Sequence, residues 1–411
     1  MNAYPRVAFL PDTFSEINGV AHTARHLEAF ARRRQVPLLS VHCGKKTEKK
    51  TDGTVSILEL QRGPARIGLD ANLDYDALIW RYVNYLAQEV RTFGAQVIHV
   101  TGPGDLGSLG LLVAALLRLP IVISWHTNLQ EYAATRLQNL LRFLGKDISN
   151  RAGHVAGSLS AEILRHFYRR ATITLAPNQE LVEYTHSLSD RPCYLMRRGV
   201  DNQLFNPARR NRVNNTFRIG YVGRLTPEKN VRFLITLAAA LRDKCRSRFE
   251  FVIVGEGSEE RRLRAQLPDA HLTGVLRGEA LAQAYADMDL FVFPSETDTF
   301  GNVILEALAS GVPAVVTNQG GPKFLIEPGV TGYVAEDQSE FIDFVDRLLT
   351  QPALHAGMRE AAAQYAFKQS WDSVFESVWQ VYGEAVESYA LASRRQSPAL
   401  VSSRVHGRSS S

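Results

Sequence analysis

Short apolar runs alternate with amphipathic stretches along the whole chain. "RVAFLPD", "QVIHVTG", "IVISWHT" and "ITLAP" read as buried strands in the first half, and "FRIGYVGRL", "FEFVIVGEG", "LFVFPS" and "PAVVTN" in the second. Between them lie stretches of helical spacing, such as "VRFLITLAAALRDK" and "EALAQAYADM". Strands this continuously apolar, in alternation with helices, predict parallel sheets covered on both faces. The pattern restarts near Phe217, after the polar stretch "NPARRNRVNN". This predicts two Rossmann-like, doubly wound α/β domains, residues 1–205 and 206–370, joined by a linker. From Trp371 apolar residues recur as Val374, Phe375, Val378, Trp379, Tyr382, Ala385, Val386 and Tyr389. That is a helix over 371–393 with one wide apolar face, long enough to cross back onto the first domain. Residues 394–411 are rich in Ser and Arg and read as a disordered tail. "GKKTEKKTDG" reads as a charged surface loop. In "LGLLVAALLRLPIVISW", Arg118 and Pro120 separate a helix, a turn and a buried strand. The segment falls short of the roughly 20 unbroken apolar residues of a membrane span.

Composition adds little to this picture, and charge adds a qualification. The 411 residues are 45% hydrophobic and 22% charged, ordinary globular values. Formal net charge is +5, but Arg394 to Ser411 contains four Arg and no acid, which leaves the body at +1. Such a body gives no electrostatic footprint for nucleic acid, and none is expected as a partner. The cysteines, Cys43, Cys193 and Cys245, lie far apart with no CxxC, which speaks against a disulfide framework or a zinc site. A reducing, cytoplasmic setting fits, as does an amino terminus without a secretory pattern. Three segments mix cations with positions able to meet a bilayer: Arg32 to Arg34, Lys45 to Lys50, and "LRHFYRRA" from Leu164 to Ala171. They make weak association with an anionic membrane surface, on its inner face, an expectation to test.

Open parallel sheets bind ligands beyond the carboxyl ends of their strands, so candidate chemistry belongs there. Gly19 follows the first strand and opens a helical pattern, where amides and dipole favour an anion; a turn glycine reads the same way. In "GYVGRLTPEKN" a strand ends at Gly223-Arg224, and Lys229 lies at the predicted start of a helix, against its dipole. Two cations there suit a diphosphate clamp, with two solvated cations as the alternative. "VGEG" lacks a third glycine and is weak as a dinucleotide fingerprint. His126 ends a buried strand among the ligand-facing loops, where packing and function are equally open. In "SETDTFGNVILEALASGVPAV" a strand hands over to a helix at Gly301-Asn302, with Asp298 before it and Glu306 inside it. Asp298 could meet sugar hydroxyls or cap the helix. Glu306 suits two ribose hydroxyls, because its neighbours Ile304, Leu305, Ala307 and Leu308 argue against a solvated face.

Taken in order, "INGVAHTARHL", "HTNLQEY", "RRGVDNQLFNP", "YVGRLTPEKN", "VGEGSEE", "TDTFGNVILEALASGVPAV" and "QGGPKFLIEPGVTGYVAED" resemble a retaining glycosyltransferase of family 4. The resemblance covers nearly the whole chain. It implies the GT-B architecture, two Rossmann-like domains facing a central cleft, and a nucleotide-sugar donor used without metal or other cofactor. It further implies that Arg224 and Lys229 hold the donor diphosphate, that Asp298 faces the donor sugar and that Glu306 faces the ribose. Thr299, Phe300, Gly301 and Asn302 complete the donor loop, Gly19 matches the glycine loop near the phosphates, and His126 the histidine near the transferred sugar. Asp298 stands where Glu is more usual. Asn128 stands where relatives often carry Asp, which bears on sugar or acceptor preference. "RRGVD" resembles the subgroup of lipid mannosyltransferases and sulfoquinovosyl-type enzymes. The expectation is a hexosyltransferase moving mannose from GDP-mannose, or a hexose from a UDP-sugar, to a lipid or glycan hydroxyl. A nucleotide-sugar epimerase of the same architecture and a non-catalytic nucleotide-binding relative are the alternatives.

Overall fold

A computed structural model of the chain describes residues 4–14, 19–64, 66–70, 73–76, 78–125, 161–212, 216–244, 248–298 and 300–395. The chain divides into two compact units, Met1–Leu195 with Glu376–Ser411, and Met196–Phe375. The division falls before "RRGVD" and not at the expected 205/206. Val200 donates its amide to Gln369 O at 2.9 Å and bridges to Ser370, and both Val200 and Phe205 are buried in the second core.

The first unit is built on strands β1 (Val7–Leu10), β2 (Leu38–Gly44), β3 (Glu48–Asp52), β4 (Val55–Gln61), β5 (Arg66–Asp70), β6 (Leu73–Asp76), β7 (Val97–Val100), β8 (Ile121–Ser124), β9 (Ile173–Ala176) and β10 (Cys193–Leu195). Eight of these form one sheet in the order β10-β9-β8-β7-β1-β2-β4-β3, while β5 and β6 make a separate ribbon. Apart from β3, every recorded pairing in that sheet is parallel. β1, β7, β8 and β9 are buried along their whole length, as their apolar runs require. The charged stretch read as a loop is instead the edge strand β3, turned back on β4 through Gly53 at φ 61°. Its sequence hid it because an all-polar edge strand has no buried face to pattern. Lysines on such an edge also discourage pairing with another chain.

The helix Asp105–Leu117 ends at Arg118 in the left-handed region, and β8 follows, as the interruption at Arg118 and Pro120 predicts. Its amino end receives a carboxylate from elsewhere in the unit: Asp12, just past β1, accepts from Gly104 N at 3.2 Å and Gly107 N at 3.0 Å. The fit needs glycine, since a Cβ on Gly107 would lie 1.7 Å from Gly102 O. The segment Leu164 to Ala171 does not offer the mixed apolar and basic surface expected of it. Leu164, Phe167 and Tyr168 are buried in the core, which leaves Arg165, Arg169 and Arg170 outward. Arg32 and Arg34 are also engaged, with Glu28 and Asp52, and with Glu376.

The second unit carries β11 (Phe217–Val222), β12 (Phe249–Val254), β13 (His271–Gly274), β14 (Leu290–Phe293), β15 (Ala314–Thr317) and β16 (Gly332–Ala335). They form one sheet, all parallel, in the order β13-β12-β11-β14-β15-β16. Numbered within the unit, this is the 3-2-1-4-5-6 order of a Rossmann sheet, with its switch point between β11 and β14. Each unit has its own apolar core.

The last helix, Trp371–Arg395, begins in the second unit and belongs to the first from Glu376 onward. Phe375, Val378, Trp379, Tyr382 and Ala385 are buried, along the stripe read from sequence. Within the first unit Trp379 meets Phe30 at 5.2 Å, and Tyr382 OH lies 2.7 Å from His99 Nδ1. His99 Nε2 is 2.9 Å from Ser124 Oγ, so both ring nitrogens are satisfied by neutral partners. Burial pushes His99 down to about 3, and the ring stays neutral. Among the described residues no helix is long and apolar enough to cross a membrane. Removing the phenol hydroxyl would leave one nitrogen of a fully buried imidazole unsatisfied. Tyr382→Phe is therefore expected to cost about 1–3 kcal/mol, read as an earlier urea midpoint of the first unit. A midpoint unchanged from wild type would mean that the helix docks by packing alone.

Candidate active site

The switch point between β11 and β14 brings two strand-end loops side by side. After β11 the chain turns at Gly223, buries Leu225 and leaves Arg224 outward, its side chain 70% exposed. Tyr221, at the penultimate position of β11, donates its hydroxyl to Arg224 O at 3.0 Å and fixes the backbone there. The residues Pro227–Lys229 form a short 3-10 turn that ends at Asn230 in the left-handed region, and the next helix starts only at Phe233. Lys229 thus stands at the end of a turn, where a cation suits the local dipole. The dipole conflict inferred from sequence does not exist, and the cation's purpose must rest on its contacts.

Those contacts run to the neighbouring loop. Lys229 Nζ lies 2.6 Å from Asp298 Oδ1, with side-chain exposures of 14% and 21%. Asn230 Nδ2 donates to Pro294 O at 3.3 Å, and Thr297 Oγ1 donates to Glu228 O at 3.3 Å. A third loop, after β15, supports the second from behind: Gly321 N donates to Asp298 O at 2.7 Å. Gly320, at φ 68°, passes so close that a Cβ there would sit 2.6 Å from Asp298 O. Three strand ends therefore position one carboxylate.

Asp298 does not cap the helix that follows. The helix Asn302–Ala309 starts from Gly301 at φ 93°, with no side-chain cap. Instead, buried polar atoms without partners collect around these loops: Thr226 Oγ1, Ser295 Oγ, Asp298 Oδ2 and Asn302 Oδ1. Buried polar groups are nearly always satisfied, so these four atoms at the ligand end of the sheet are the ones a polar ligand there could reach. Phe300 is buried beneath the loop. Among the described residues the Arg224 guanidinium pairs with Glu228 alone, at 3.5 Å in water, so it stays available to a ligand.

Glu306 lies one turn into the helix, half-buried, and Tyr285 OH donates to its Oε2 at 2.9 Å. Burial pushes the Glu306 carboxyl from its ordinary 4.5 up to about 7, and the phenol hydrogen bond pulls the other way. The structure thus brings Lys229 and Asp298 into contact and places Arg224, Phe300, Gly301, Asn302 and Glu306 on the same end of the same sheet. Gly19 belongs to the first unit, where it opens the helix Gly19–Arg34 at an exposed position with open space over its Cα. His126 and Thr299 lie outside the described residues. Sequence reasoning missed Tyr285, Ser295 and the Gly320-Gly321 support. The "NQGGP" stretch after a strand carried the signal for the last, since paired glycines at a strand end mark close backbone approach. At the end of "RRGVD", Asp201 Oδ1 accepts from Gln203 N and Leu204 N at 3.0 Å, and the neighbouring Asn202 donates to Phe367 O.

Two units, each built on a largely parallel, doubly wound sheet, are the architecture of the GT-B enzymes. Residues 17–204 match the family description "Glycosyltransferase Family 4", and residues 216–351 match "Glycosyl transferases group 1". A "GDP-mannose-dependent alpha-mannosyltransferase" of Mycobacterium tuberculosis is 31% identical, over 93% of this chain and 97% of its own length. "Sulfoquinovosyl transferase SQD2" of Arabidopsis thaliana is 29% identical, over 70% of this chain and 56% of its own. Among solved structures, sucrose-phosphate synthase of Thermosynechococcus elongatus superposes with a TM-score of 0.69 at 17% identity, over 92% of this chain and 98% of that one. The chain belongs to glycosyltransferase family 4.

The environment of Glu306 has a consequence for stability. A carboxyl that titrates near 7 in the fold and near 4.5 unfolded holds its proton more tightly when folded. Its contribution to stability is whole below 4.5 and is lost as pH rises through 7. Glu306→Gln is thus expected to stabilise the ligand-free protein above neutrality, by on the order of 1–2 kcal/mol after discounting for residual water contact, and not below pH 4.5. Thermal unfolding at the two extremes checks this. A variant that melts no later than wild type in alkali would show that the site tolerates the charge.

Proposed function

We propose that this chain transfers mannose from GDP-mannose, with retention of anomeric configuration, to a hydroxyl of a lipid or glycan acceptor. The observation that carries the reading is the Lys229–Asp298 pair at the switch point, with Asp298 Oδ2 left without a partner. The mannosyl donor draws support from the end-to-end similarity to the Mycobacterium tuberculosis enzyme.

In this reading Lys229 and Arg224 hold the diphosphate. Lys229 starts from Asp298, so the arriving phosphate shares or takes a cation already in place. Asp298 accepts hydroxyls of the donor sugar, and the loop Thr299-Phe300-Gly301-Asn302 lines it with backbone amides and the Asn302 side chain. Glu306 accepts ribose hydroxyls. The family resemblance assigns Gly19 to the phosphates and His126 to the transferred sugar. The acceptor oxygen forms its bond to the anomeric carbon on the face the leaving group vacates. The bond from that carbon to the diphosphate oxygen breaks, the electron pair stays with the diphosphate, and the acceptor's proton passes to it. No protein nucleophile is required. The chain supplies orientation and stabilisation of the negative charge that grows on the departing phosphate. The cations it offers are side chains, and among the described residues no group of three metal-ligating side chains converges. Where the acceptor is a lipid, weak docking on an anionic surface would rest on charge alone, from the exposed Arg165, Arg169 and Arg170 and the Lys45 to Lys50 stretch.

Release of GDP from GDP-mannose, followed with and without lipid and glycan acceptors, tests the reading. Turnover of UDP-sugars with no response to GDP-mannose would overturn the donor, and conversion of the donor alone into another nucleotide sugar would replace transfer by epimerisation. Lys229→Ala and Arg224→Ala are each expected to weaken GDP binding by roughly ten- to a hundred-fold, the worth of a charge-assisted hydrogen bond. Calorimetry that finds both variants at wild-type affinity would remove the diphosphate clamp. Turnover is expected to survive EDTA. A loss restored by magnesium or manganese would mean that a metal, and not this pair of cations, carries the diphosphate.

A further inference from the structure

Tyr285 lies near the end of the helix Gly278–Ala286, fully buried, its ring edge-on to Phe205 at 5.7 Å and tilted against Phe291 at 5.8 Å. Aromatic packing on two sides fixes where its hydroxyl points. A buried phenol needs a hydrogen-bond partner, and this one donates to Glu306 Oε2 at 2.9 Å. No other residue among those described hydrogen-bonds that carboxylate. The charged groups on the surrounding elements are turned elsewhere. Arg359, on the helix Pro352–Phe367, donates to Met288 O at 3.0 Å and faces Asp289 at 3.9 Å. Glu279, on the helix of Tyr285 itself, faces Arg209 at 3.8 Å, and Lys323 Nζ sits over the Phe324 ring at 5.2 Å. Lys229 is held by Asp298, and Tyr221, another buried phenol of this core, is spent on Arg224 O. β14 and β15 bring no titratable side chain to the helix of Glu306.

We propose that Tyr285 is a positioning residue of the donor site: its hydroxyl holds the Glu306 carboxylate in one rotamer through Oε2 and leaves Oε1 for the hydroxyls of the nucleotide ribose. The inference rests on the reading of Glu306 as the ribose acceptor and adds the group that prepares it. The preparation has two parts. A glutamate side chain left to itself samples several rotamers, and fixing one on ligand arrival costs affinity; Tyr285 fixes it in advance. A half-buried carboxyl also tends to keep its proton, and a protonated carboxyl presents a donor where the ribose needs an acceptor. The phenol bond favours the ionised form and keeps the polarity right near neutrality.

Calorimetric titration of the full chain with GDP, from below to well above neutral pH, tests this in three proteins: wild type, Tyr285→Phe, and the chain carrying 3-fluorotyrosine at position 285. Wild-type affinity is expected to fall on the acid side as Glu306 takes a proton. Tyr285→Phe should move that limb upward by about one pH unit, so that affinity at neutrality drops about three- to ten-fold and returns in alkali. The fluorinated ring keeps the packing and donates more strongly, so its limb should move downward. In a Glu306→Gln background neither change at 285 should move the profile. The proposal is overturned if both limbs coincide with wild type. It is also overturned if Tyr285→Phe loses affinity equally at every pH and does so equally in the Glu306→Gln background, the mark of a packing residue. Should the Phe variant not fold, the fluorinated chain decides alone, since an unmoved limb sinks the idea. If Glu306→Gln itself binds GDP with wild-type affinity and profile, the ribose reading fails first, and the result says so separately.

Discussion

A lysine ammonium 2.6 Å from an aspartate oxygen, both largely withdrawn from water, is the constraint around which the second unit is arranged. Neither charge is comfortable there alone, because desolvation of an isolated ion costs several kcal/mol. The pair also belongs to two different loops, one after β11 and one after β14. Holding it therefore requires those two strands to be neighbours, which the 3-2-1-4-5-6 order provides. It requires a third loop to carry the backbone of Asp298, which the glycines after β15 permit. The sheet order, the left-handed glycines and the ion pair are one argument read at three scales.

The two ends of β14 contrast instructively. Asp289 stands one residue before the strand and Asp298 five residues after it. Asp289 is fully served: Arg210 at 2.6 Å, Arg212 at 2.5 Å and Arg218 N at 2.9 Å all donate to it, and Arg359 stands at 3.9 Å. Burial alone would raise its carboxyl, yet the amide and guanidinium donors outweigh it and hold the group below the usual range. That cluster also pins the linker residues Arg210 and Arg212 to the sheet. Asp298 has one cation and one empty oxygen. Same residue type, same strand and same unit: the saturated carboxylate reads as framework and the unsaturated one as a site. Saturation is the criterion that separates them, and no motif is needed to apply it.

Much of this was legible in the chain itself. Every strand singled out from an apolar run is present, because a strand buried on both faces has no polar position to disguise it. The helix–turn–strand reading around Arg118 held for the same reason. Strands β2, β4, β5, β6, β10, β13 and β16 were not singled out, and two further features escaped for physical reasons. The strand β3 escaped because an exposed edge strand carries no apolar signal, though the Asp52-Gly53 pair beside it is a hairpin-turn signal. The tertiary partnerships escaped because spacing along a chain does not report them: Lys229 with Asp298 are 69 positions apart and Tyr285 with Glu306 are 21. Reasoning from local dipoles put Lys229 on a helix start that the left-handed Asn230 abolishes, so its place in the proposed site rests on its contact with Asp298 instead.

The partnerships also explain why tyrosines recur beneath this site. Tyr221 and Tyr285 are both buried in the second core, and each sends its hydroxyl upward to one functional element, the backbone of Arg224 and the carboxylate of Glu306. Phenylalanine would serve the core equally well. Tyrosine serves the core and delivers a single hydrogen-bond donor to a chosen point on its ligand side, at low entropic cost, because a buried ring has no freedom left to lose. The apolar interior of the second unit is in this sense part of the site: it fixes two hydroxyls, and through them an arginine backbone and an acid, before any nucleotide arrives. A carboxylate so placed is unfavourable for the ligand-free fold, a cost that ribose hydroxyls would offset if Glu306 accepts them as proposed.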